Sequence, residues 1–132
     1  MAKKTFIDRI MEYVDSPEMR QRIKAGKALS CIVDGHYGTY HTHVTISQKR
    51  FKDADCTCPS ESRPCKHANA LAITYQKAPK SFVDIDRLLA GFDSKPSKEL
   101  LRLIREMILA APASLQALGV EGFDDSDKEL YD

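Results

Sequence analysis

Three cysteines and one histidine fall within a twelve-residue window of this chain: Cys56, Cys58, Cys65 and His67. Three thiolates and one imidazole make a complete tetrahedral donor set of the kind that structural zinc takes. A closed set of four protein ligands leaves no coordination position for a substrate. The motif therefore predicts one Zn²⁺ per chain in a binding module, and we do not expect an enzyme.

The composition predicts a small globular domain that keeps its thiols reduced. The 132 residues are 42% hydrophobic and 30% charged, which is typical of one domain with a modest core. The N-terminus has no secretory signal pattern, and no apolar run is long enough for a membrane span. We expect a cytoplasmic protein without a membrane partner, in which closely spaced cysteines bind metal before they form disulfides.

The first 26 residues have the pattern of two helices. Apolar residues at helical spacing predict an amphipathic helix over residues 4–14. Ser16 and Pro17 have the residue types of a helix N-cap and first position. They predict a second short helix that runs to about Lys24.

Strand patterns follow, and they lead directly to the zinc motif. Residues 28–33 and 40–46 are rich in β-branched and aromatic residues, and a glycine-containing stretch, 34–38, separates them. This pattern predicts an antiparallel hairpin. Residues 49–55 continue as an extended segment into Cys56, and residues 66–77 have the pattern of a helix that begins at the second ligand pair.

Helices are also predicted after the motif. Residues 81–92 and 98–111 carry apolar residues at helical spacing, and residues 113–118 favour one more turn. Residues 121–132 hold six acidic residues and one basic residue without a packing pattern, so we expect a disordered acidic tail.

Together these patterns predict an α+β fold in which a zinc ion pins a helix to a small antiparallel hairpin or sheet, with helices at both ends. The expected parts are N-terminal helices (1–26), a zinc-binding ββα unit (27–80), a helical extension (81–120) and the acidic tail (121–132). Cys56 and Cys58, two apart on a strand, point to the same side, and the other ligand pair flanks a helix start. Asp55, Glu61 and the helix N-terminus are candidate hydrogen-bond partners for the His67 ring.

The motif resembles the SWIM zinc finger, whose signature is CxCx(n)CxH. The similarity extends to Cys58-Pro59, to the alanine-rich helix after His67 and to the preceding strands, and covers roughly residues 28 to 80. The C-terminal helix also resembles extensions of small prokaryotic SWIM proteins. The resemblance implies a zinc-stabilised module that binds DNA or proteins. Since no ATPase, transposase or kinase signature is present, it would be a free-standing module.

Basic residues cluster around the motif. Residues 48–80 contain seven basic and three acidic residues, a net charge of +4, whereas the whole chain has +1. A charge cluster of this kind is either a solvated face or a phosphate-binding surface. The candidate nucleic-acid contacts are Lys49, Arg50, Lys52, Arg63 and Lys66, with Tyr37 and Tyr40 as stacking platforms for bases.

Two functions from different classes remain open at this point. The first is a SWIM-type module that binds nucleic acid, DNA in the first instance, mainly through phosphates. The alternative is an adaptor whose C-terminal helices dock a larger DNA-processing ATPase or recombination factor, or a second copy of the chain. A small hydrolase or redox enzyme is disfavoured, because no oxyanion-donor motif or orienting carboxylate accompanies a nucleophile.

For two further sets of residues we prefer a structural interpretation over a functional one. His36, His41 and His43 could form a second metal site, but solvent-facing histidines explain them better, since no acid or thiol accompanies them. Cys31 alternates with Leu29 and Val33, which predicts a buried core thiol.

Overall fold

The structure is a computed structural model that describes residues 3–47, 50–60 and 63–123. The chain divides into two compact units, Met1–Ala90 and Gly91–Asp132. The metal motif and the described sheet belong to the first unit. The predicted acidic tail lies outside the described residues from position 124 onward.

One mixed sheet organises the first unit. Its strands run in the order β4-β3-β2-β1-β5, with β1 to β4 antiparallel and the short β5 parallel to β1. The strands are β1 (Met19–Ala25), β2 (Ala28–Asp34), β3 (Thr39–Ser47), β4 (Arg50–Cys56) and β5 (Val83–Asp84). The hairpin predicted around residues 34–38 is confirmed as the β2–β3 connection.

Helices precede and follow the sheet strands, so the α+β class is confirmed. The helices are α1 (Phe6–Tyr13), α2 (Lys66–Lys77), α3 (Ile85–Ala90) and α4 (Ser97–Ala110), with 3₁₀ turns at Pro79–Ser81 and Pro112–Leu118. The predicted helices 4–14, 66–77 and 98–111 agree with α1, α2 and α4 to within a residue or two. None of the helices in the described ranges is long and apolar enough to cross a membrane.

Helix α2 covers one face of the sheet, and this contact is the core of the first unit. Alternate residues of β2 are buried there, and Thr42 and Val44 of β3 join them. Leu71 of α2 is fully buried, and α2 contacts β2, β3 and β4. His41 and His43 are exposed because their side chains alternate to the opposite face of β3.

Helix α1 packs onto α2 through a narrow stripe. Thr5 caps α1 in a reciprocal capping box with Asp8, which satisfies two backbone N–H groups at the helix start. Ile10 and Tyr13 are the buried residues of α1, whereas Ile7 is exposed. The amphipathic pattern therefore predicted the helix correctly, but only part of its apolar face is covered.

A buried hydroxyl connects the end of α1 to α2. The Thr74 Oγ1 accepts a hydrogen bond of 2.9 Å from the Asp15 backbone N–H and donates one of 2.7 Å to the Ala70 carbonyl. Thr74 is fully buried. Asp15 has a positive φ of 51° there, so this hydrogen bond holds the chain in a conformation that non-glycine residues seldom adopt.

The second N-terminal helix predicted for residues 16–24 is wrong, because this segment forms β1. Met19 is buried in the core, and β1 pairs with β2 on one side and with β5 on the other. Gln21 has a φ of 52°, which accompanies a break in register between Arg20 and Ile23. Tertiary pairing thus overrides the cap-like Ser16-Pro17 signal, since strand formation depends strongly on context.

The helix predicted for residues 81–92 is partly wrong. Phe82 is buried, but the next two residues form β5, and α3 occupies only Ile85–Ala90. The pairing of Val83 with Ile23 explains the change, because it supplies backbone partners for the outer side of β1. Leu88 and Leu89, two of the apolar residues at helical spacing in this segment, are exposed.

The unit that begins at Gly91 buries little apolar surface. Helix α4 and the 3₁₀ turn that follows it contain no buried residue. Leu101 of α4 is 66% exposed, although α4 has a clear apolar stripe in its sequence.

Candidate metal centre and adjoining cavity

The four predicted metal ligands converge at one end of the sheet. One ligand atom from each of Cys56, Cys58, Cys65 and His67 lies within 4.8 Å of all the others, and all four residues are buried. Cys56 is the last residue of β4, and Cys58 follows it by two positions. In the described part of the chain, no other group of three or more Cys, His, Asp or Glu residues is arranged to hold a metal.

The second ligand pair comes from the start of α2. Cys65 is the N-cap of α2, and its Sγ accepts a hydrogen bond of 3.4 Å from the Ala68 backbone N–H. His67 lies two residues further along, at the second helical position. The sulfur that binds the ion thus also satisfies one of the free N–H groups at the helix start.

The spacing of the donor atoms fits zinc. The Cys56 Sγ and the His67 Nδ1 are 3.7 Å apart. Two ligands on one tetrahedral ion, with Zn–S of about 2.3 Å and Zn–N of about 2.0 Å, would be separated by about 3.5 Å. Nδ1 is therefore the His67 atom placed to bind, and the cluster can hold one zinc ion.

Neighbouring groups form hydrogen bonds with two of the sulfurs. The Thr42 hydroxyl lies 3.2 Å from the Cys56 Sγ. The Arg63 guanidinium donates to the Cys58 Sγ at 3.5 Å and to the Cys58 carbonyl at 3.0 Å. This contact raises the pKa of Arg63 and places a positive charge beside a ligand set whose three thiolates outweigh a divalent ion by one charge.

The hydrogen bond between the Cys56 and Cys65 sulfurs shifts the pKa values of the two thiols in opposite directions. It lowers the pKa of Cys65 and, together with burial, raises the pKa of Cys56 above its usual range. The contact therefore favours the thiolate form of Cys65, which is the form that zinc binds.

Two tyrosines enclose the His67 ring. Tyr13 meets it edge-on, with ring centroids 4.9 Å apart, and Tyr40 stacks on it at 5.4 Å with an interplanar angle of 29°. The His67 Nε2 is buried and has no hydrogen-bond partner among the described residues, so Asp55 does not fill the role predicted for it. Glu61, the other predicted partner, lies outside the described residues.

Comparison with known proteins identifies this segment. Residues 40–76 match the family model of the SWIM zinc finger. The chain carries a SWIM zinc finger. No curated protein and no solved structure matches the chain. The finger spans β3, β4 and α2, so the match contains all four ligands and the sheet strands that support them.

A cavity of about 220 Å³ adjoins the zinc centre of the SWIM finger. The β2–β3 turn, the ligand loop and the start of α2 form its walls, and Tyr13 of α1 completes them. Three of the predicted nucleic-acid contacts, Tyr37, Tyr40 and Lys66, line this one cavity. The contribution of Tyr13 was missed because it lies far from the motif in sequence and arrives only through the packing of α1 on α2.

The other predicted contacts have different positions. Arg63 is bound to Cys58, a role that the sequence did not indicate. Lys49 lies outside the described residues, and so do the side chains of Arg50 and Lys52. The prediction that these three contact nucleic acid stays a prediction.

An acidic cavity lies beside the first one. It is lined by Glu12, Glu18 and Asp34 and shares Tyr13 and the turn residue His36 with the cavity at the zinc centre. Two of these acids have ion-pair partners, because Glu12 pairs with Lys4 and Asp34 with Arg20.

Cys31 and the three histidines outside the ligand set lie where the sequence predicted them. Cys31 is a buried thiol, and burial raises its pKa to about 12, which keeps it protonated and unreactive. All four cysteines are unpaired. His36 lies in the β2–β3 turn, whereas His41 and His43 lie on the exposed face of β3.

Proposed function

We propose that this SWIM finger binds nucleic acid, DNA in the first instance, and that phosphate contacts supply most of the affinity. One observation carries the proposal. The cavity beside the zinc centre gathers three tyrosines and Lys66, and Arg63 lies on the adjoining ligand loop. Cations next to accessible aromatic rings are the combination that single-stranded nucleic-acid sites use.

The affinity expected from these residues is weak and salt-sensitive. Lys66 and Arg63 would contact two phosphates, which gives a slope of log K against log salt of about −2 on duplex DNA. The neighbouring Glu12 and Glu18 reduce the local potential further. A second copy or a protein partner would be needed for tight binding, so homo-oligomerisation belongs to the proposal.

The test is a titration of labelled duplex and single-stranded DNA with the zinc-loaded protein at low and moderate salt. We expect binding that falls with salt and is weakened several-fold by Lys66→Gln. Lys27→Gln is the matched control, because Lys27 lies in the β1–β2 turn at the other end of β2 from the cavity. Zinc content is measured for each variant. The absence of binding at low salt by a zinc-loaded, folded protein would refute the proposal.

Catalysis is not part of this proposal. Four protein ligands complete the tetrahedron, so an ion held there has no open position for substrate. We also propose a cytoplasmic site of action, since the thiols must remain reduced to bind zinc.

A second function, a protein adaptor, is favoured by helix α4. An apolar stripe on a fourteen-residue helix without any buried residue is a surface that a protein partner or a second copy would cover. Leu101→Glu combined with Met107→Glu should abolish such an association, and both side chains are 66% exposed in the structure. The measurement is molar mass by light scattering, followed by pull-down of partners. An unchanged mass and an unchanged set of partners would exclude this function.

A further inference from the structure

We propose that the cavity beside the zinc centre accommodates one unstacked nucleobase, so that the SWIM finger prefers single-stranded over duplex nucleic acid. This inference rests on the nucleic-acid function proposed above and assigns the site at which a base is held. Its basis is the size, the walls and the charge of the cavity.

The volume of the cavity suits one nucleobase. At about 220 Å³ the cavity is smaller than the roughly 300–1,000 Å³ pockets that enclose drug-sized ligands. A dinucleotide or a folded cofactor would not fit, whereas one base could enter while its sugar and phosphate remain outside. A base paired within a duplex cannot enter, because its flat faces are already stacked on its neighbours.

The inner wall is rigid and aromatic. The Tyr40 ring stacks on His67, and His67 is fixed from three directions by the ligand cluster, by Tyr13 and by Tyr40 itself. His67 is only 2% exposed. Gly35 is required at the turn, because a Cβ there would lie 2.7 Å from the Tyr40 ring. The platform is therefore formed before any ligand arrives, which lowers the entropic cost of binding.

The outer wall contains an aromatic ring with no structural role in the core. Tyr37 is 94% exposed at the tip of the β2–β3 turn, and its nearest ring neighbour is His36, with centroids 6.5 Å apart. Tyr37 and Tyr40 both line the cavity, one exposed at the edge and the other packed inside. A base inserted at this place would contact Tyr37 and would remove part of its apolar surface from water.

The cavity has charged residues of both signs at its rim. Lys66 lines it with its Nζ 5.6 Å from the centre of the Tyr13 ring, and Arg63 lies on the ligand loop, where it donates to the Cys58 carbonyl. The acidic residues Glu12, Glu18 and Asp34 line the neighbouring cavity, and Lys4 and, to a smaller extent, Lys66 lower the pKa of Glu12. An uncharged base in the cavity with its phosphate beside Lys66 matches this distribution.

The experiment compares two strands that differ only in their bases. A labelled single strand of about ten thymidines is titrated beside a strand of equal length in which every base is absent, so that the phosphate charge is the same. We expect the zinc-loaded protein to bind the base-containing strand tighter by on the order of 10-fold, since stacking on one aromatic side chain contributes on that scale. A duplex of the same sequence should bind more weakly than the thymidine strand.

Substitutions at position 37 then locate the base. Tyr37→Leu should reduce the difference in affinity between the two strands, since only the inner wall at Tyr40 then remains aromatic, and Tyr37→Phe, which keeps the ring, should retain the difference. Both variants should keep one zinc ion per chain, because Tyr37 lies outside the core and the ligand set.

The outcomes separate the two proposals. Equal affinity for the base-containing and base-free strands would overturn the base pocket while leaving phosphate binding intact. A base preference that Tyr37→Leu does not change would also overturn it, because the base would then lie elsewhere. If neither strand nor the duplex binds, the nucleic-acid function itself fails and the pocket assignment fails with it.

Discussion

The two compact units of this chain differ in how they use their apolar residues. In Met1–Ala90 the sheet, the helices α1 and α2 and the four metal ligands enclose a core in which Leu71 and Val33 are fully buried. In Gly91–Asp132 the helix α4 has an equally regular apolar stripe, yet it buries no residue. Helical periodicity therefore predicts where a helix forms, but whether its apolar face is covered depends on what the chain brings against it.

The largest difference between the units should appear when the ion is lost. Cys58→Ser removes one ligand, and we expect the first unit to lose its zinc and its cooperative unfolding transition. Structural zinc contributes about 10–16 kcal/mol of apparent binding free energy in zinc-finger peptides, more than a core of this size can replace. The measurement is zinc content together with thermal unfolding followed by circular dichroism.

The matched control for that experiment is Cys31→Ala. Cys31 is a buried cysteine of the same unit that is absent from the ligand set. This variant should keep one ion per chain and lose only the modest stability of a small cavity. A Cys58→Ser protein that unfolds like Cys31→Ala would contradict the structural role of the ion.

A smaller effect is expected where α1 is tied to α2. Thr74→Val removes the hydroxyl that accepts from the Asp15 backbone N–H, and it leaves this part-buried donor without its partner. The expected loss is about 1–3 kcal/mol in the free energy of unfolding, measured by urea denaturation of the zinc-loaded protein. Thr74→Ser keeps the hydroxyl and should lose clearly less. A Thr74→Val protein as stable as the parent would show that this hydrogen bond does not contribute to stability.

Two glycines of the β2–β3 turn differ in how closely they approach the Tyr40 ring. Gly35→Ala would place a Cβ 2.7 Å from the Tyr40 ring, whereas Gly38→Ala would place one at an ordinary 3.6 Å from the Tyr40 hydroxyl. We expect the first change to cost about 1–2 kcal/mol through overpacking and to move Tyr40 off His67. The second should be close to neutral. Urea denaturation measures the stability, and NMR chemical shifts of the His67 ring report the displacement.

The smallest effect on stability is expected on α4. Leu101→Glu changes a side chain that is 66% exposed, so the free energy of unfolding should change by no more than about 0.5 kcal/mol. A loss of 2 kcal/mol or more in a monomeric sample would show that the α4 stripe is covered within the chain. Denaturation at two protein concentrations separates this result from the loss of a dimer.

The parts that the sequence predicted well are those that local information specifies. All four ligands lie within twelve residues, and their types alone indicate the metal, so the zinc site was predictable without a fold. Helix α2 was predictable because its start is a ligand position and its alanine-rich pattern is regular. Alternation along β2 and β3 also predicted correctly that Cys31 is buried and that His41 is exposed.

The parts that were missed depend on contacts between distant segments. Strand β1 has a polar sequence, and it is a strand because β2 and β5 supply partners on its two sides. The cavity at the zinc centre needs Tyr13, which lies more than forty residues before the first ligand. The hydrogen bonds from Arg63 to Cys58 depend on the path of the ligand loop, which charge counting cannot predict.

The order of the strands also determines how the sheet can open. At one edge, β4 ends in a zinc ligand, and the ion closes a loop of only a few residues, so little chain entropy opposes its formation. At the other edge, β5 is two residues long and meets β1 across about sixty residues of intervening chain. Amide hydrogens of the β1–β5 pair should therefore exchange with solvent through local opening, while those between β3 and β4 exchange only when the ion leaves. One edge of the sheet is thus stabilised by the metal site, whereas the other edge can open locally.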